Sequence, residues 1–292
     1  MKKSNVMTLD LQGNVSRVAF LSDLHWDNPK TDLNLLKKDL NYCLENNIPV
    51  HINGDLFCLM QGKGDRRGNK SDIRPEHNNA LYFDSIIDTA VEWFAPYAHI
   101  IFGIGYGNHE TAITKYQETD ILKRFVDKMN LTHGSKIQIG GYTHWIVVRQ
   151  HYRKIGDNFT TFKIKCAHGS GGGGVVTRGA INLTRALEIY EDFDLFTMGH
   201  IHQNSADNLV RDHITYNTKK EIYEVKHKNI HMMITGTYKE EYGDGSKGWH
   251  VERGAPPKPL GGRIATFQTV YTTKNGKAVY YKQIDSTKFP IS

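Results

Sequence analysis

Short apolar runs and amphipathic stretches alternate along the first part of the chain. The apolar runs at 17–23, 48–55 and 98–108 end in glycine or polar residues, which is typical of buried strands. Between them, 32–47 and 78–94 carry apolar residues at the spacing of a helix that buries one face. This order predicts parallel strands covered by helices, an α/β arrangement.

Strand-like runs dominate the pattern after residue 130. They stand at 136–141, 143–150, 161–169, 194–200, 230–238, 263–273 and 278–284. A single helix is predicted among them, at 180–191. We therefore expect a second sheet packed on the first, with helices outside, in one domain that spans residues 1–292.

Composition adds modest constraints. Charged residues make up 23% of the 292 residues and hydrophobic ones 39%, as in ordinary globular proteins. The net charge of +6 is a mild bias toward phosphate-bearing partners. Cys43, Cys58 and Cys166 are widely spaced, which favours reduced thiols over disulfides. With neither a signal-peptide pattern nor an apolar run of membrane-spanning length, we expect a cytoplasmic protein with no membrane partner.

Five predicted strands end in residues that can bind a metal or act as acids. These ends are Asp23-Leu24-His25, Gly54-Asp55, Gly107-Asn108-His109-Glu110, His168-Gly169 and Gly199-His200-Ile201-His202. Asp-x-His and Gly-Asp are each common in turns, whereas Gly-Asn-His-Glu and His-x-His fit a site and a turn equally well. Together, however, they predict one site, because ligands of α/β sheets bind at the carboxyl ends of the strands. The neighbouring glycines allow sharp turns and close approach of a ligand.

The set resembles the calcineurin-like metallophosphoesterase superfamily. Its motifs D-x-H, G-D, G-N-H-[D/E], H and G-H-x-H stand in this order within residues 18–202, and only general strand patterns and a long loop follow in 203–292. The resemblance implies a four-layer α-β-β-α sandwich, with two packed mixed β-sheets and a dinuclear metal centre between the strand ends.

The resemblance also implies seven ligands for two divalent ions, in two sets that share a bridging carboxylate. The first set is Asp23, His25 and His202, the second is Asn108, His168 and His200, and the bridge is Asp55. Such ligands carry only nitrogen and oxygen donors. They suit Mn²⁺, which we expect, as well as Fe, Zn²⁺ or Mg²⁺.

The Asn-His pair at 108–109 is unusual for an ordinary turn. By the resemblance, Asn108 is a neutral oxygen ligand that limits the negative charge of the site. His109 would face the substrate and donate a proton to the leaving oxygen. Two metals would clamp a phosphoryl oxygen and generate a hydroxide nucleophile at neutral pH, so no serine or cysteine nucleophile is needed.

The second motif departs from one branch of the superfamily. Ser/Thr protein phosphatases carry G-D-x-x-D-R-G, in which the second Asp orients the catalytic histidine and the Arg binds phosphate. Here Cys58, Leu59 and Met60 stand in place of D-R-G. The departure argues against a protein phosphatase and leaves the orienting partner of His109 open.

Three segments outside the motifs bear on the substrate. Residues 61–75 contain a cluster of basic residues, namely Lys63, Arg66, Arg67, Lys70 and Arg74. This cluster fits either a polyanion contact or a solvated loop. The glycine-rich stretch after His168 leads to Arg178, a candidate phosphate contact. The long loop at 240–262 carries Trp249, which either stacks on a base or anchors the loop.

These features favour a metal-dependent phosphodiesterase acting on single-stranded nucleic acid or nucleotides, in effect a nuclease. Two alternatives remain. The first is a phosphomonoesterase, including a protein phosphatase. The second is a binding module that keeps the fold without catalysis, and the complete ligand set together with His109 argues against it. No feature of the sequence indicates a protein partner.

Overall fold

Two β-sheets form the centre of a computed structural model of the chain. The model describes residues 5–60, 72–152, 159–172, 174, 176–243, 245–246, 249–252, 254–274 and 277–290. Within these ranges each sheet has six strands. The strands are β1 Val6–Gln12, β2 Val15–Leu21, β3 Val50–Asn53, β4 Ile101–Gly105, β5 Gln138–Ile139, β6 Thr143–His151, β7 Phe159–Ala167, β8 Leu195–Met198, β9 Ser205–Asn217, β10 Ile222–Ile234, β11 Arg263–Lys274 and β12 Lys277–Lys288.

Parallel and antiparallel neighbours are mixed in both sheets. The first sheet has the order β1-β6-β7-β8-β10-β9, and the second has the order β12-β11-β2-β3-β4-β5. The strands β2, β3 and β4 run parallel, as the strand–helix alternation predicted, and β5 adds a fourth parallel strand to them. In the first sheet, β7 and β8 are parallel neighbours. The carboxyl ends of β2, β3, β4, β7 and β8 carry the motif residues.

Helices follow several of the strands. The described helices are α1 Leu33–Glu45, α2 Tyr82–Phe94, α3 Asn108–Gln117, α4 Ile121–His133, α5 Ala180–Ile189 and the short α6 Trp249–Glu252. The Asp32 side chain caps α1 by accepting the Leu35 N–H at 2.9 Å. Among the described residues, no helix has the length and apolar composition to cross a lipid bilayer.

Three hydrophobic layers alternate with the sheets and helices. Along β2, Val18 and Phe20 pack between the two sheets, whereas Ala19 and Leu21 pack beneath the helices of the second sheet. This alternation is the two-residue period of a strand buried on both faces. The third layer joins Leu183 of α5 to the outer face of the first sheet. The predicted α-β-β-α sandwich of two packed mixed sheets is therefore confirmed.

Five described elements were not predicted from the sequence, namely the strands β1 and β9 and the helices α3, α4 and α6. The edge strands β1 and β9 carry mostly exposed or half-exposed residues, so their apolar pattern is weak. Helix α4 does bury apolar residues at helical spacing, such as Leu122, Phe125 and Met129. Strand β9 pairs with β10 over its whole length and forms a long hairpin at the edge of the first sheet.

A buried histidine pair joins the two sheets. The Nε2 atoms of His51 on β3 and His144 on β6 lie 2.7 Å apart. The Nδ1–H of His144 donates to the Gly141 carbonyl at 3.0 Å, so its Nε2 accepts from His51. Burial lowers the pKa of both imidazoles, to about 4 for His144. Both rings are thus neutral, as expected of packed histidines, although Cys166 places a third ligand atom close by.

We predict a pH-dependent stability term from Asp39 on α1. This side chain is 3% exposed and accepts from the Tyr238 hydroxyl at 2.8 Å. Burial raises the pKa of Asp39 to about 6, so ionisation destabilises the fold as the pH rises through that value. Asp39→Asn keeps an oxygen acceptor without the charge. The free energy of unfolding of Asp39→Asn minus that of wild type, measured with urea, should rise by about 1 kcal/mol when the pH is raised from 5 to 8. A difference independent of pH would contradict this.

Candidate metal centre

Five strand ends from both sheets converge at one edge of the sandwich. Asp23 and His25 follow β2, Asp55 follows β3, Asn108 opens α3 after β4, His168 follows β7, and His200 and His202 follow β8. Asp23, His25, Asp55 and His168 are buried, whereas Asn108, His200 and His202 are half-buried. The cluster therefore has a buried floor and a side that is open to solvent.

Asp23, His25 and His202 form one potential ligand group. Each offers a ligand atom within 4.8 Å of the other two. The Nε2 of His202 lies 3.2 Å from Oδ1 of Asp23. The rings of His25 and His202 meet edge to face, with 5.8 Å between centroids. Two residues come from the second sheet and one from the first, so the group spans the seam between the sheets.

The second potential group is formed by Asp55, His168 and His200, whose ligand atoms also lie within 4.8 Å of one another. The Asn108 amide oxygen adds a fourth donor, 3.2 Å from His168 Nε2 and 2.9 Å from His200 Nδ1. Asp55 Oδ2 lies 3.2 Å from His168 Nε2, and that nitrogen is 3.9 Å from Asp23 Oδ1. The two groups are therefore adjacent.

Hydrogen bonds from outside the groups fix the orientation of these side chains. The Nδ1–H of His168 donates to the Asn53 carbonyl at 2.9 Å, which turns its Nε2 toward Asp55. Asp23 Oδ2 accepts the backbone N–H of His200 at 2.8 Å and the Ser22 hydroxyl at 2.5 Å. Its Oδ1 is left facing the cluster.

Glu110 ties two motif loops together. Its carboxylate accepts the backbone N–H of Gly107 at 2.9 Å, of Phe57 at 3.0 Å and of Asp55 at 3.2 Å. The loops after β3 and β4 are thereby held side by side. The fourth residue of the G-N-H-E motif thus has a structural explanation, which sequence reasoning had not provided.

Left-handed backbone conformations are concentrated at these strand ends. Among the seven predicted ligands, five have positive φ, namely Asp23, His25, Asp55, His200 and His202, with values between 46° and 65°. Such conformations are unfavourable for residues other than glycine, by about 1–2 kcal/mol each. Strain of this kind is typical of functional sites, where the surrounding structure holds it in place.

The two carboxylates remain ionised although they are buried. Burial alone raises the pKa of Asp55, but His168 and His109 outweigh it and hold the value well below the usual range. The pKa of Asp23 is also lowered, because the effect of His202 outweighs the opposing effect of burial. Conversely, burial disfavours the charged form of His168, yet Asp55 raises its pKa to about 10. The imidazoles thus compensate the carboxylates electrostatically.

Buried atoms without hydrogen-bond partners in the cluster fit a bound cation. Among the described residues, neither Asp23 Oδ1 nor His25 Nδ1, both buried, has a hydrogen-bond partner, although Asp23 Oδ1 has an ion-pair contact with His202 Nε2 at 3.2 Å. A buried polar atom in this state is costly, and such atoms usually have a partner. Both residues belong to the first potential ligand group, which offers the nitrogen and oxygen ligands that Mn²⁺, Fe and Zn²⁺ accept. The residues therefore fit divalent metal ions.

His109 lies beside both groups. Its ring meets that of His25 edge to face, with 4.8 Å between centroids, and the ligand atoms of His25, Cys58 and His109 lie within 4.8 Å of one another. Its Nδ1 lies 2.5 Å from the Cys58 carbonyl oxygen. The backbone N–H of His109 donates to Asp55 Oδ1 at 3.0 Å, and its Nε2 is 3.9 Å from Asp55 Oδ2. A main-chain oxygen thus orients His109, at the position where the protein-phosphatase motif has its aspartate. Sequence reasoning missed this contact because a carbonyl has no side-chain signature.

Only some of the other predicted substrate contacts lie within the described residues. Arg178 is exposed and precedes α5, with a left-handed backbone at φ 46°. The side chain of Trp249 and residues 61–71, with most of the basic cluster, lie outside the described residues. Arg74, counted in that cluster, instead stacks on Trp26 at 5.3 Å and donates to the Asn28 carbonyl at 3.2 Å. It is therefore engaged within the fold.

Part of the loop at 240–262 does lie near the strand ends. The Lys258 ammonium donates to the Ile201 carbonyl at 3.5 Å, and Asn204 donates to the Gly261 carbonyl at 3.1 Å. Lys239, just before the loop, is buried and pairs with Glu241. Its charge acts on His25, since it contributes to lowering the pKa of that imidazole after burial itself. Sequence reasoning had not singled out this buried cation.

No family model matches the chain, and no curated protein does. Among solved structures, Vacuolar Protein Sorting 29 from Cryptosporidium parvum matches with a TM-score of 0.35 and 13% identity, covering 94% of this chain and 100% of that chain. GAP50, the anchor in the inner membrane complex of Plasmodium, matches with a TM-score of 0.46 and 11% identity, covering 96% and 90% respectively. At such low similarity neither match bears on function.

We predict that Gly107→Ala lowers metal binding at this edge by more than half. A Cβ at position 107 would lie 2.0 Å from Asp55 Oδ1 and 2.3 Å from the Asp55 backbone nitrogen, so Asp55 must move. Elemental analysis of Mn²⁺-loaded, dialysed protein should show less than half the metal of wild type. Gly172→Ala is the matched control, because its Cβ would meet nothing within 4 Å. Equal metal content in the two variants would contradict the prediction.

Proposed function

We propose that the protein is a metal-dependent phosphoesterase that uses two divalent ions, with Mn²⁺ as the expected metal. The observation that carries the proposal is the pair of adjacent ligand groups, one with Asp23 and one with Asp55, beside a histidine that belongs to neither. In the proposed assignment, Asp23, His25 and His202 hold one ion, Asn108, His168 and His200 hold the other, and Asp55 bridges them.

Divalent ions held in this way would supply Lewis acidity to phosphoryl oxygens and lower the pKa of an attacking water. The chain's own residues prepare the rest. The Asn53 carbonyl accepts the Nδ1–H of His168 and so fixes that ring. The Asp23 carboxylate accepts the backbone N–H of His200 and is fixed in the same way. Because these supports are in place in advance, a substrate phosphate would meet a preorganised set of donors.

His109 is proposed to protonate the leaving oxygen. Its ring is half-buried, and its Nδ1–H is committed to the Cys58 carbonyl. Nε2 is therefore the nitrogen that can carry the transferable proton. It lies 3.9 Å from Asp55 Oδ2, and the His109 ring also meets the ring of His25 edge to face, so a proton on Nε2 would be held next to both ligand groups.

A phosphodiester of nucleic acid or a nucleotide is the proposed substrate class. Two features support it. The second motif lacks the Asp-Arg-Gly of protein phosphatases, and its position 58 contributes a main-chain oxygen instead. In addition, the Lys258 segment lies against the His200–His202 turn, which adds a cation at the rim of the site. A phosphomonoesterase is the second candidate, because the metal groups themselves fit either ester.

A substrate panel tests the proposal. With Mn²⁺ added, the purified protein should hydrolyse bis-p-nitrophenyl phosphate and single-stranded DNA or RNA faster than p-nitrophenyl phosphate. Excess EDTA should abolish all of these activities, and Mn²⁺ should restore them. Efficient monoester hydrolysis with no diester cleavage would favour the phosphomonoesterase. Full activity in EDTA would contradict the metal-dependent mechanism as a whole.

His109→Ala should keep both metals and lose turnover. General acid catalysis typically contributes about 10²–10⁴-fold, and the contribution is largest for leaving groups that need a proton. We therefore expect a larger fall in kcat for an alkyl ester than for a nitrophenyl ester, with unchanged metal content by elemental analysis. A parallel loss of metal and rate would instead identify His109 as a ligand.

A further inference from the structure

A buried carboxylate outside the proposed ligand sets follows the D-x-H motif. Asp27 is 3% exposed. Its Oδ1 accepts the backbone N–H of Cys58 at 2.5 Å, and its Oδ2 accepts the backbone N–H of Leu59 at 2.9 Å. Two main-chain donors offset the cost of burying this charge. Both oxygens thus bind the same short stretch of the loop after β3.

That stretch has a backbone conformation that needs support. Leu59 has φ of 52°, in the left-handed region that a branched side chain rarely adopts. The residue after Asp27 also contacts position 58, because the Asn28 side-chain amide donates to Cys58 Sγ at 3.2 Å. Asp27 therefore fixes the 58–59 backbone, and Asn28 holds the Cys58 side chain, both from the segment that carries His25.

One contact of this backbone reaches the proposed catalytic histidine. The Cys58 carbonyl accepts the Nδ1–H of His109 at 2.5 Å. This contact selects the tautomer and sets the direction of Nε2, the atom proposed to carry the proton. A connected path thus runs from the Asp27 carboxylate, through the N–H groups and the carbonyl of the 58–59 stretch, to the His109 ring.

We infer that Asp27 is a positioning residue for His109, acting through the Cys58 carbonyl. The inference rests on the proposed function for its catalytic consequence, although not for the geometry itself. Without the two hydrogen bonds, Leu59 would relax out of its left-handed conformation. The Cys58 carbonyl would then turn away, and His109 would lose its fixed tautomer and direction.

The first experiment observes the ring directly. Protein with ¹⁵N-labelled histidine is loaded with diamagnetic Zn²⁺, and the His109 signals are assigned by their loss in His109→Ala. Wild type should show His109 with its hydrogen on Nδ1. Asp27→Asn retains the size of the side chain but places an NH₂ against a backbone N–H, so we expect a mixture of tautomers. An unchanged His109 spectrum in Asp27→Asn would overturn the inference, whether or not the protein is an enzyme.

A matched variant controls for the loss of a buried carboxylate. Asp194 is 5% exposed and accepts the Lys163 backbone N–H at 2.8 Å, before β8 and away from His200. Asp194→Asn should leave the His109 spectrum unchanged, and a similar change in both variants would point to a general loss of packing. If Asp27→Asn does not fold, Asp27→Glu is tested in its place: it keeps the carboxylate but moves its oxygens by one methylene from the Cys58 and Leu59 N–H groups, so His109 should again show a mixture of tautomers. An unchanged His109 spectrum in Asp27→Glu would likewise overturn the inference.

The second experiment is a double-mutant cycle on turnover. Asp27→Asn alone should lower kcat at least about 10-fold for an alkyl ester, within the range of the lost acid catalysis, and much less for a nitrophenyl ester. In the His109→Ala background the same substitution should have an effect below about 2-fold, because the residue it acts through is absent. Losses that multiply would show that Asp27 acts independently of His109. A wild type inactive on all esters would refute the proposed function while the spectra still decide the inference.

Discussion

Two ionised carboxylates buried at the seam between the sheets impose the main constraint on this structure. Asp23 and Asp55 are almost inaccessible to water, and both face the same imidazole, His168. Negative charge buried in this way destabilises a fold unless nearby groups compensate it. The histidines, the backbone N–H groups and the proposed metal ions together supply that compensation, so the surrounding loops must bring all of them to one place.

The local backbone follows from this requirement. After β2, β3, β7 and β8 the chain turns through a residue with positive φ, so that side chains from different strands point to a common centre. Gly54, Gly107 and Gly199 stand where any Cβ would strike a candidate ligand or its support. Glu110 and Asp27 then bind the loop amides that these turns leave without partners in the sheets. The hydrogen bonds of these buried carboxylates therefore stabilise the strained backbone next to the ligands.

The sequence predicted the parts of this arrangement that depend on periodicity and side-chain chemistry. Buried strands such as β3 have continuous apolar runs that end in Gly-Asp, so both the strand and its functional end were visible. The strand β9 was not, because its side chains are largely exposed and follow no apolar pattern. Helix α4 did have a readable pattern, with Asp120 as its cap and Gly134 at its end. Contacts made by the main chain, such as that of Cys58 with His109, leave no trace in the side-chain pattern.

Since each potential ligand group draws residues from both sheets, an ion at either position would act as a cross-link between distant parts of the chain. Asp23 comes from an early strand of the second sheet, and His202 follows a late strand of the first. Joining them closes a loop that contains most of the chain. By the chain-entropy argument for covalent cross-links, closing a loop of about 100 residues removes roughly 4–5 kcal/mol of freedom from the unfolded state. The concentration of free metal would then set the free energy of unfolding of the chain, as well as any chemistry at the site.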